Sequence, residues 1–185
     1  MTSRVLIVGE QPTRLASHEP ALKGRNSRRL VELMDLRDDL HLRELFDIQN
    51  LFARPQVNGW DEHAAQKSAS ALASRGHSVL VLCGRRVQDA FGVRPGPEPR
   101  IAICDGITRR PLAVCIPQLR NGARAWREDH VVASAKRLLV AARQVAEGDE
   151  PFCLTCGEFP VDDPSESAPE GSTIFECGHV RVRTC

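Results

Sequence analysis

The sequence predicts an α/β fold in which helices cover both faces of a mostly parallel four-stranded sheet, forming a three-layer α/β/α sandwich. The first observation is a set of short apolar runs. Each run is too short for a helix and is typical of a buried strand. Segments with helical spacing alternate with these runs, which is the second observation and favours a parallel sheet. The four predicted strands are Val5–Val8, Leu45–Ile48, Val79–Cys83 and Leu112–Ile116.

The segments between and after the strands place apolar residues three or four positions apart, as one face of a helix requires. The predicted helices are Ser27–Leu36, Asp61–Arg75, Arg86–Phe91 and Asp129–Val145. In open parallel sheets, ligands bind beyond the carboxyl ends of the strands. The loops expected to converge there are Gly9–Gly24, Asn50–Gly59, Gly84–Arg85 and Gln118–Arg127.

Composition excludes several classes of protein. The chain has 185 residues, of which 42% are hydrophobic, so it can bury a core and is not globally disordered. A net charge of +1 excludes a pervasive basic coat but not a local basic patch. No run approaches the roughly 18 apolar residues of a membrane span, and the N-terminus lacks the apolar region of a signal peptide. We expect a cytoplasmic monomer without membrane contact.

The seven cysteines fall into two groups. Cys83, Cys104 and Cys115 lie in apolar runs, where small buried thiols are expected. The other four follow a break at Gly148–Pro151, where the composition becomes rich in acidic residues, proline and serine. We therefore predict an α/β domain over residues 1–147 and a small zinc-ribbon-like module over residues 148–185.

The predicted module has the spacing of a structural zinc site. Cys153 and Cys156 are separated by two residues, and a later Cys/His group supplies further thiolate or imidazole ligands. Metal binding would provide the folding energy that so short a segment lacks. The ligands would be Cys153, Cys156 and Cys177, with the fourth position open between His179 and Cys185.

Polar residues follow three of the predicted strands. Gly9-Glu10-Gln11-Pro12 comes directly after the first, where glycine permits a tight turn and proline fixes the exit direction. Asn50 follows the second and has the donor and acceptor needed to read the edge of a base, or it forms a turn. The loop from Gln118 to Trp126 combines cations, amides and an indole, which suits a phosphate backbone or a solvated loop.

Several segments resemble, in order, the uracil-DNA glycosylase superfamily. Gly9-Glu10-Gln11-Pro12 is similar to its Gly-x-x-Pro water-activating loop, and Pro20–Gly24 loosely resembles its Pro-Phe-x-Gly segment. Asn50–Pro55 resembles its base-reading segment, and Val81–Gly92 resembles a strand–helix segment that follows. Pro117–Trp126 occupies the place of the loop that enters the minor groove. The resemblance covers the whole α/β domain.

The resemblance implies a role for each matching residue. Gln11 falls where the family positions the attacking water, and Glu10 at a neighbouring position that is Glu in several branches. Asn50 falls on the residue that binds the base edge, and Gln118 on the one that stabilises the departing base. Arg124 matches an Arg late in the last loop. Gly9, Pro12 and Leu22 would line the base pocket, and Arg54, Arg120, Asn121 and Arg124 would contact DNA.

The implied activity is a DNA glycosylase that hydrolyses the base–sugar bond of a flipped-out base. The family's pyrimidine-stacking aromatic is missing, since Ala21 and Leu22 stand in its place. We therefore expect a modified pyrimidine, hydroxymethylated or glucosylated as in phage DNA, rather than plain uracil, in a defence role. The cluster-binding cysteines of some branches are also missing, so no iron–sulfur centre is expected. A non-catalytic DNA- or nucleotide-binding protein and an unrelated α/β hydrolase are the alternatives.

Overall fold

The computed structural model describes residues 4–11, 22, 24–56, 59–94, 96, 98–104, 111–120, 124–159, 172–174 and 180–182. Five strands in this part of the chain form the central sheet. They are β1 (Val5–Gly9), β2 (Asp47–Asn50), β3 (Val79–Cys83), β4 (Arg100–Ile103) and β5 (Leu112–Ile116). The strand order is β2-β1-β3-β5-β4, in which the first four are parallel and β4 runs antiparallel to β5.

Helices cover both faces of this sheet. They are α1 (Arg25–Leu33), α2 (Asp39–Leu45), α3 (Glu62–Ala73), α4 (Arg85–Ala90) and α5 (Asp129–Glu147), with a 3-10 helix at Arg124–Arg127. One apolar cluster joins one face of the sheet to α1, α2 and α5. A second joins the opposite face to α3 and α4, so the predicted three layers are present.

Continuous apolar runs correctly predict the strands in the middle of the sheet. Every residue of β1, β3 and β5 is buried, because helices cover both of their faces. Gly84 ends β3 with a φ of +99°, a backbone conformation that favours glycine, and α4 begins at the next residue. Asp61 caps α3, since its side chain accepts a hydrogen bond from the Ala64 N–H at 2.9 Å.

The prediction of a four-stranded sheet is wrong, because β4 adds a fifth strand at the edge. This strand has only four residues, none of them fully buried, so it lacks the continuous apolar run of a central strand. The apolar run at Leu45 also divides differently from the prediction. Leu45 ends α2, which Asp38 caps through the His41 N–H at 2.8 Å, and β2 begins at Asp47.

The segment that follows α5 packs against the α/β core. Phe152 is fully buried in the cluster under α1, α2 and α5, and its ring meets Phe159 edge-on at 5.9 Å. Two further strands, β6 (Ser172–Ile174) and β7 (Val180–Val182), pair antiparallel. The boundary at residue 148 and the zinc-ribbon-like architecture stay predictions, because Cys177, His179 and Cys185 lie outside the described residues.

No helix in the described part of the chain combines the length and the apolar character that crossing a bilayer requires.

Candidate functional site

The parallel strands end together at one edge of the sheet, called here the carboxyl edge. Gly9 and Asn50 are register partners at the ends of β1 and β2, and Cys83 pairs with Ile116 at the ends of β3 and β5. The residues that follow these strand ends are therefore brought side by side, although they are far apart in the chain. Ligand sites of parallel α/β sheets lie at this edge.

Glu10 is the centre of a polar cluster at the carboxyl edge. Its Oε1 accepts a hydrogen bond from Arg86 Nη1 at 3.0 Å, and its Oε2 accepts one from Gln118 Nε2 at 3.4 Å. The Glu10 side chain is 19% exposed and that of Arg86 is 57% exposed, so water reaches the ion pair. The structure thus joins the predicted residues Glu10 and Gln118 and adds a cation to them.

Gly9 lies under two of the other predicted pocket residues. A Cβ atom at Gly9 would come within 2.7 Å of Asn50 Oδ1 and 2.8 Å of Leu22 Cδ2. A side chain at this position would require both Asn50 and Leu22 to move. Leu22 is buried and has a φ of +52°, an uncommon backbone conformation for a non-glycine residue. Asn50 and Leu22 therefore meet over Gly9, the residue before Glu10.

Gln11 takes a different direction from Glu10. Its Oε1 accepts a hydrogen bond from the backbone N–H of Gln56 at 3.0 Å, which ties it to the loop after β2. The backbone of the same loop also bonds to the first loop, through Leu51 N–H to the Gly9 carbonyl at 2.7 Å and Phe52 N–H to the Glu10 carbonyl at 3.2 Å. Gln11 therefore helps to join two loops, whereas Glu10 faces Gln118.

Arg86 is the site residue that the sequence analysis missed. Besides Glu10, its guanidinium contacts the ring of Trp60 at 5.3 Å, and Trp60 meets Phe52 edge-on at 5.4 Å. The available signal was positional, since Arg86 begins a helix directly after a strand of the carboxyl edge. No feature of the sequence distinguishes it from Arg85, whose side chain is 83% exposed.

Contacts with β3 and α4 fix the position of Gln118. Gln118 Cβ lies 3.1 Å from where a Cβ atom at Gly84 would stand, so the two loops touch. Below them, the buried Gln88 donates from Nε2 to the carbonyls of Leu82 at 3.5 Å and Ile116 at 3.0 Å. Gln88 therefore ties the ends of β3 and β5 together, which sets the distance between Gln118 and Arg86.

The predicted DNA-contacting arginines are exposed. Arg54 lies in the loop after β2, Arg120 follows β5, and Arg124 begins the 3-10 helix. None of the three lies in the hydrogen-bonded cluster around Glu10. Pro12 and Asn121, predicted for the base pocket and for DNA contact, lie outside the described residues.

The thiols beneath the carboxyl edge are unsuited to nucleophilic chemistry. Burial raises the pKa of Cys83 far above its usual range, and the neighbouring Cys115 raises it further. Burial also raises the pKa of Cys115 to about 11, although the nearby Arg100 opposes the shift. Both thiols are therefore protonated at neutral pH.

Two of the predicted zinc ligands lie in a tight turn. The Gly157 N–H donates to the Cys153 carbonyl at 2.7 Å, and Gly157 has a φ of +86°. This turn brings Cys153 and Cys156 to the same short segment, as a chelating thiolate pair requires. The described residues contain no group of three or more His, Cys, Asp and Glu side chains placed to hold a metal.

No family model matches this chain, and no curated protein matches it significantly. The resemblance to the uracil-DNA glycosylase superfamily therefore rests on the quoted motifs alone and stays a hypothesis. The geometry of the carboxyl edge is the independent ground for a functional proposal.

Proposed function

We propose that the protein is a DNA glycosylase that hydrolyses the bond between a flipped-out base and its sugar and leaves an abasic site. The observation that supports this best is the Glu10 cluster, in which a carboxylate, an amide and a guanidinium meet at the carboxyl edge. A carboxylate and a separate amide donor are the two groups that such a hydrolysis needs on opposite sides of the breaking bond.

Glu10 is the group proposed to act on the sugar. As the base departs, the sugar gains oxocarbenium character, and a nearby carboxylate stabilises that positive charge or activates the attacking water. Arg86 Nη1 lies 3.0 Å from Glu10 Oε1 and so holds the carboxylate in place at the strand end. Gln11 is tied to Gln56, so we assign the water-activating role to Glu10 rather than to Gln11.

Gln118 and Asn50 are the groups proposed to act on the base. The departing base carries negative charge, and a hydrogen-bond donor at Gln118 Nε2 would stabilise it. Asn50 Oδ1 projects over Gly9 from the adjacent strand end, where an amide can donate to and accept from a base edge. Together the two amides would hold the flipped base against the sheet edge.

A modified pyrimidine is the proposed substrate. The wall next to Gly9 is the aliphatic Leu22, where an aromatic ring would form a flat stacking platform. A leucine side chain has a smaller volume than a phenylalanine side chain, so the pocket would have more room for a hydroxymethyl or glucosyl substituent. Release of such bases would act against phage DNA. Exposed Arg54, Arg120 and Arg124 would hold the flanking phosphates.

A non-catalytic DNA- or nucleotide-binding protein is the second candidate. One observation favours it: both carboxylate oxygens of Glu10 already have partners, Arg86 at 3.0 Å and Gln118 at 3.4 Å. For catalysis, substrate must displace the Gln118 amide from Glu10. The 3.4 Å separation is long for a hydrogen bond, so this exchange is inexpensive.

The test is a base-release assay by mass spectrometry on oligonucleotides containing uracil, thymine, 5-hydroxymethyluracil, 5-hydroxymethylcytosine or glucosylated 5-hydroxymethylcytosine, in single and double strands. We expect release from a modified substrate, with alkali-labile sites at the same positions. Binding without release from any substrate would favour the second candidate. If Glu10→Ala, Gln11→Ala and Asn50→Ala all kept the activity, the site assignment would be wrong.

For the C-terminal segment we propose a structural zinc ion bound by Cys153, Cys156 and Cys177, with His179 or Cys185 completing a tetrahedral set. Metal analysis of the full chain should find one zinc per molecule. Cys153→Ser should lose the metal, whereas Cys104→Ser, which removes a thiol of the α/β core, is the control and should keep it. A metal-free wild-type protein purified without chelators would contradict the proposal.

A further inference from the structure

The chain has two tryptophans, and each is linked to one member of the Glu10–Gln118 hydrogen bond. Trp60 contacts Arg86, which binds Glu10. Trp126 is linked to Gln118 directly, since its indole Nε1–H donates to the Gln118 backbone carbonyl at 2.7 Å. The second link is the more informative, because it connects a side chain outside the cluster to the backbone of a residue within it.

Burial cannot fix the Gln118 side chain, because this residue is exposed. Its backbone needs other restraints, of which the buried Leu119 provides one on the following residue. The Trp126 hydrogen bond provides another, because the carbonyl it holds belongs to the peptide joining Gln118 to Leu119. It also closes the loop across the eight positions that separate Gln118 from Trp126.

Arg29 holds the tryptophan ring from the other side. The guanidinium of Arg29, on α1, lies 5.1 Å from the centre of the Trp126 ring. Its Nη1 is buried and has no hydrogen-bond partner in the described part of the chain. The guanidinium therefore lies against the ring, and α1 is coupled through Trp126 to the loop after β5.

We infer that Trp126 is a positioning residue: its indole N–H fixes the Gln118 backbone so that the side-chain amide faces Glu10, and Arg29 fixes the indole. The expected effect of Trp126 on catalysis rests on the proposed function, whereas its expected effect on the position of the Gln118 side chain does not. It also assigns Trp126 to the protein's own framework, where the sequence left contact with DNA open.

The first arm of the test is structural and needs no substrate. In nitrogen-15 correlation spectra of the full chain, the Gln118 side-chain amide is identified by its loss in Gln118→Glu. Trp126→Phe keeps a ring for Arg29 but removes the donor, so the Gln118 amide signals should move beyond their line width. Arg137→Gln, which removes the guanidinium lying 4.9 Å from the Phe159 ring, is the control and should leave them in place. Unmoved signals in Trp126→Phe would overturn the inference whatever the activity.

The second arm is kinetic. With the substrate found by base release, Trp126→Phe should lower kcat by about fivefold, as loss of one neutral hydrogen bond implies, and leave KM nearly unchanged. Arg29→Gln should lower kcat by about twofold to threefold. Arg137→Gln, which removes the guanidinium lying 4.9 Å from the Phe159 ring, is the control and should keep the wild-type rate.

The two arms separate failure of the inference from failure of the proposed function. Moved Gln118 signals with no base release by any form of the protein would support the positioning role and reject the glycosylase. A raised KM with an unchanged kcat and unmoved Gln118 signals would overturn the inference in favour of direct contact between Trp126 and DNA. Melting curves of Trp126→Phe confirm that the compared variant is folded.

Discussion

The two edges of the central sheet each hold an acidic residue with a cationic or titratable partner, and the two pairs differ in their access to water. At the carboxyl edge, the Glu10 and Arg86 side chains are 19% and 57% exposed and lie 3.0 Å apart. At the opposite edge, where the strands begin, His77 Nε2 lies 2.7 Å from Asp47 Oδ2, and the His77 side chain is only 1% exposed.

The difference lies in the partners of the two carboxylates, since Arg86 is exposed whereas His77 is buried, although Asp47 itself is 41% exposed. Water and a ligand can replace either contact of Glu10, because Arg86 and Gln118 both reach the surface. His77 has no such exchange available, and its Nδ1 is buried without a hydrogen-bond partner in the described residues. Activity should therefore depend on the carboxyl edge, and stability on the edge where the strands begin.

The largest effect is expected from Glu10→Gln, which keeps the shape of the side chain but removes its charge. Base release should fall by on the order of 100-fold or more, because the sugar cation loses its counter-charge. The stability should change by less than about 1 kcal/mol, since the pair is hydrated. Single-turnover rates and melting curves measure the two quantities.

Glu44→Gln, an exposed carboxylate on α2, is the control for Glu10→Gln and should leave both quantities unchanged. If Glu10→Gln kept an activity within a few-fold of wild type, or lost much of its stability, the assignment of activity rather than stability to the carboxyl edge would be wrong.

The next effect is expected from His77→Ala at the opposite edge. Removing a buried ring and its hydrogen bond to Asp47 should lower the free energy of unfolding by about 2 kcal/mol. The rate of base release per folded molecule should stay the same. Urea unfolding gives the free energy, with His63→Ala on the exposed surface of α3 as the control. A lost rate in folded His77→Ala would show that the edges are coupled.

Gly9→Ala tests how tightly the carboxyl edge is packed. The added methyl group would meet Asn50 Oδ1 at 2.7 Å and Leu22 Cδ2 at 2.8 Å, so both side chains must move. We expect a loss of about 1 kcal/mol in stability and a weaker affinity for modified-base DNA. Binding measured by fluorescence anisotropy with unchanged affinity would remove Asn50 and Leu22 from the base pocket.

Cys115 tests how far water penetrates below the carboxyl edge. Burial raises its pKa to about 11, so the folded state holds the thiol proton more tightly than the unfolded chain. The resulting stability is complete below about pH 9 and is lost as the pH rises towards the folded pKa. Measured by urea unfolding, each buried thiol with a raised pKa, Cys83 as well as Cys115, should lower the free energy of unfolding by about 1 kcal/mol between about pH 8 and about pH 10, and Cys115→Ala should remove one of these two contributions. An unchanged pH dependence in Cys115→Ala would indicate that water reaches this thiol.

The central strands and the longer helices could be predicted because their signals are local. Continuous apolar runs gave β1, β3 and β5, and an N-cap with helical spacing gave α3. The edge strand β4 was not predicted, because a half-buried strand of four residues has no distinctive hydrophobic pattern. The run at Leu45 was misassigned because an apolar residue fits the end of a helix as well as a strand.

The sequence by itself determined the fully buried strands β1, β3 and β5 and the residues that follow the strand ends, including Glu10, Asn50 and Gln118. Hydrophobic burial depends on the order of residues along the chain, and parallel strands bring their ends to one edge. Only the tertiary structure decided which of these residues meet. It placed Gln118 rather than Gln11 on Glu10, and it added Arg86 and Trp126, because distance, direction and partner are set by packing between elements that the sequence separates.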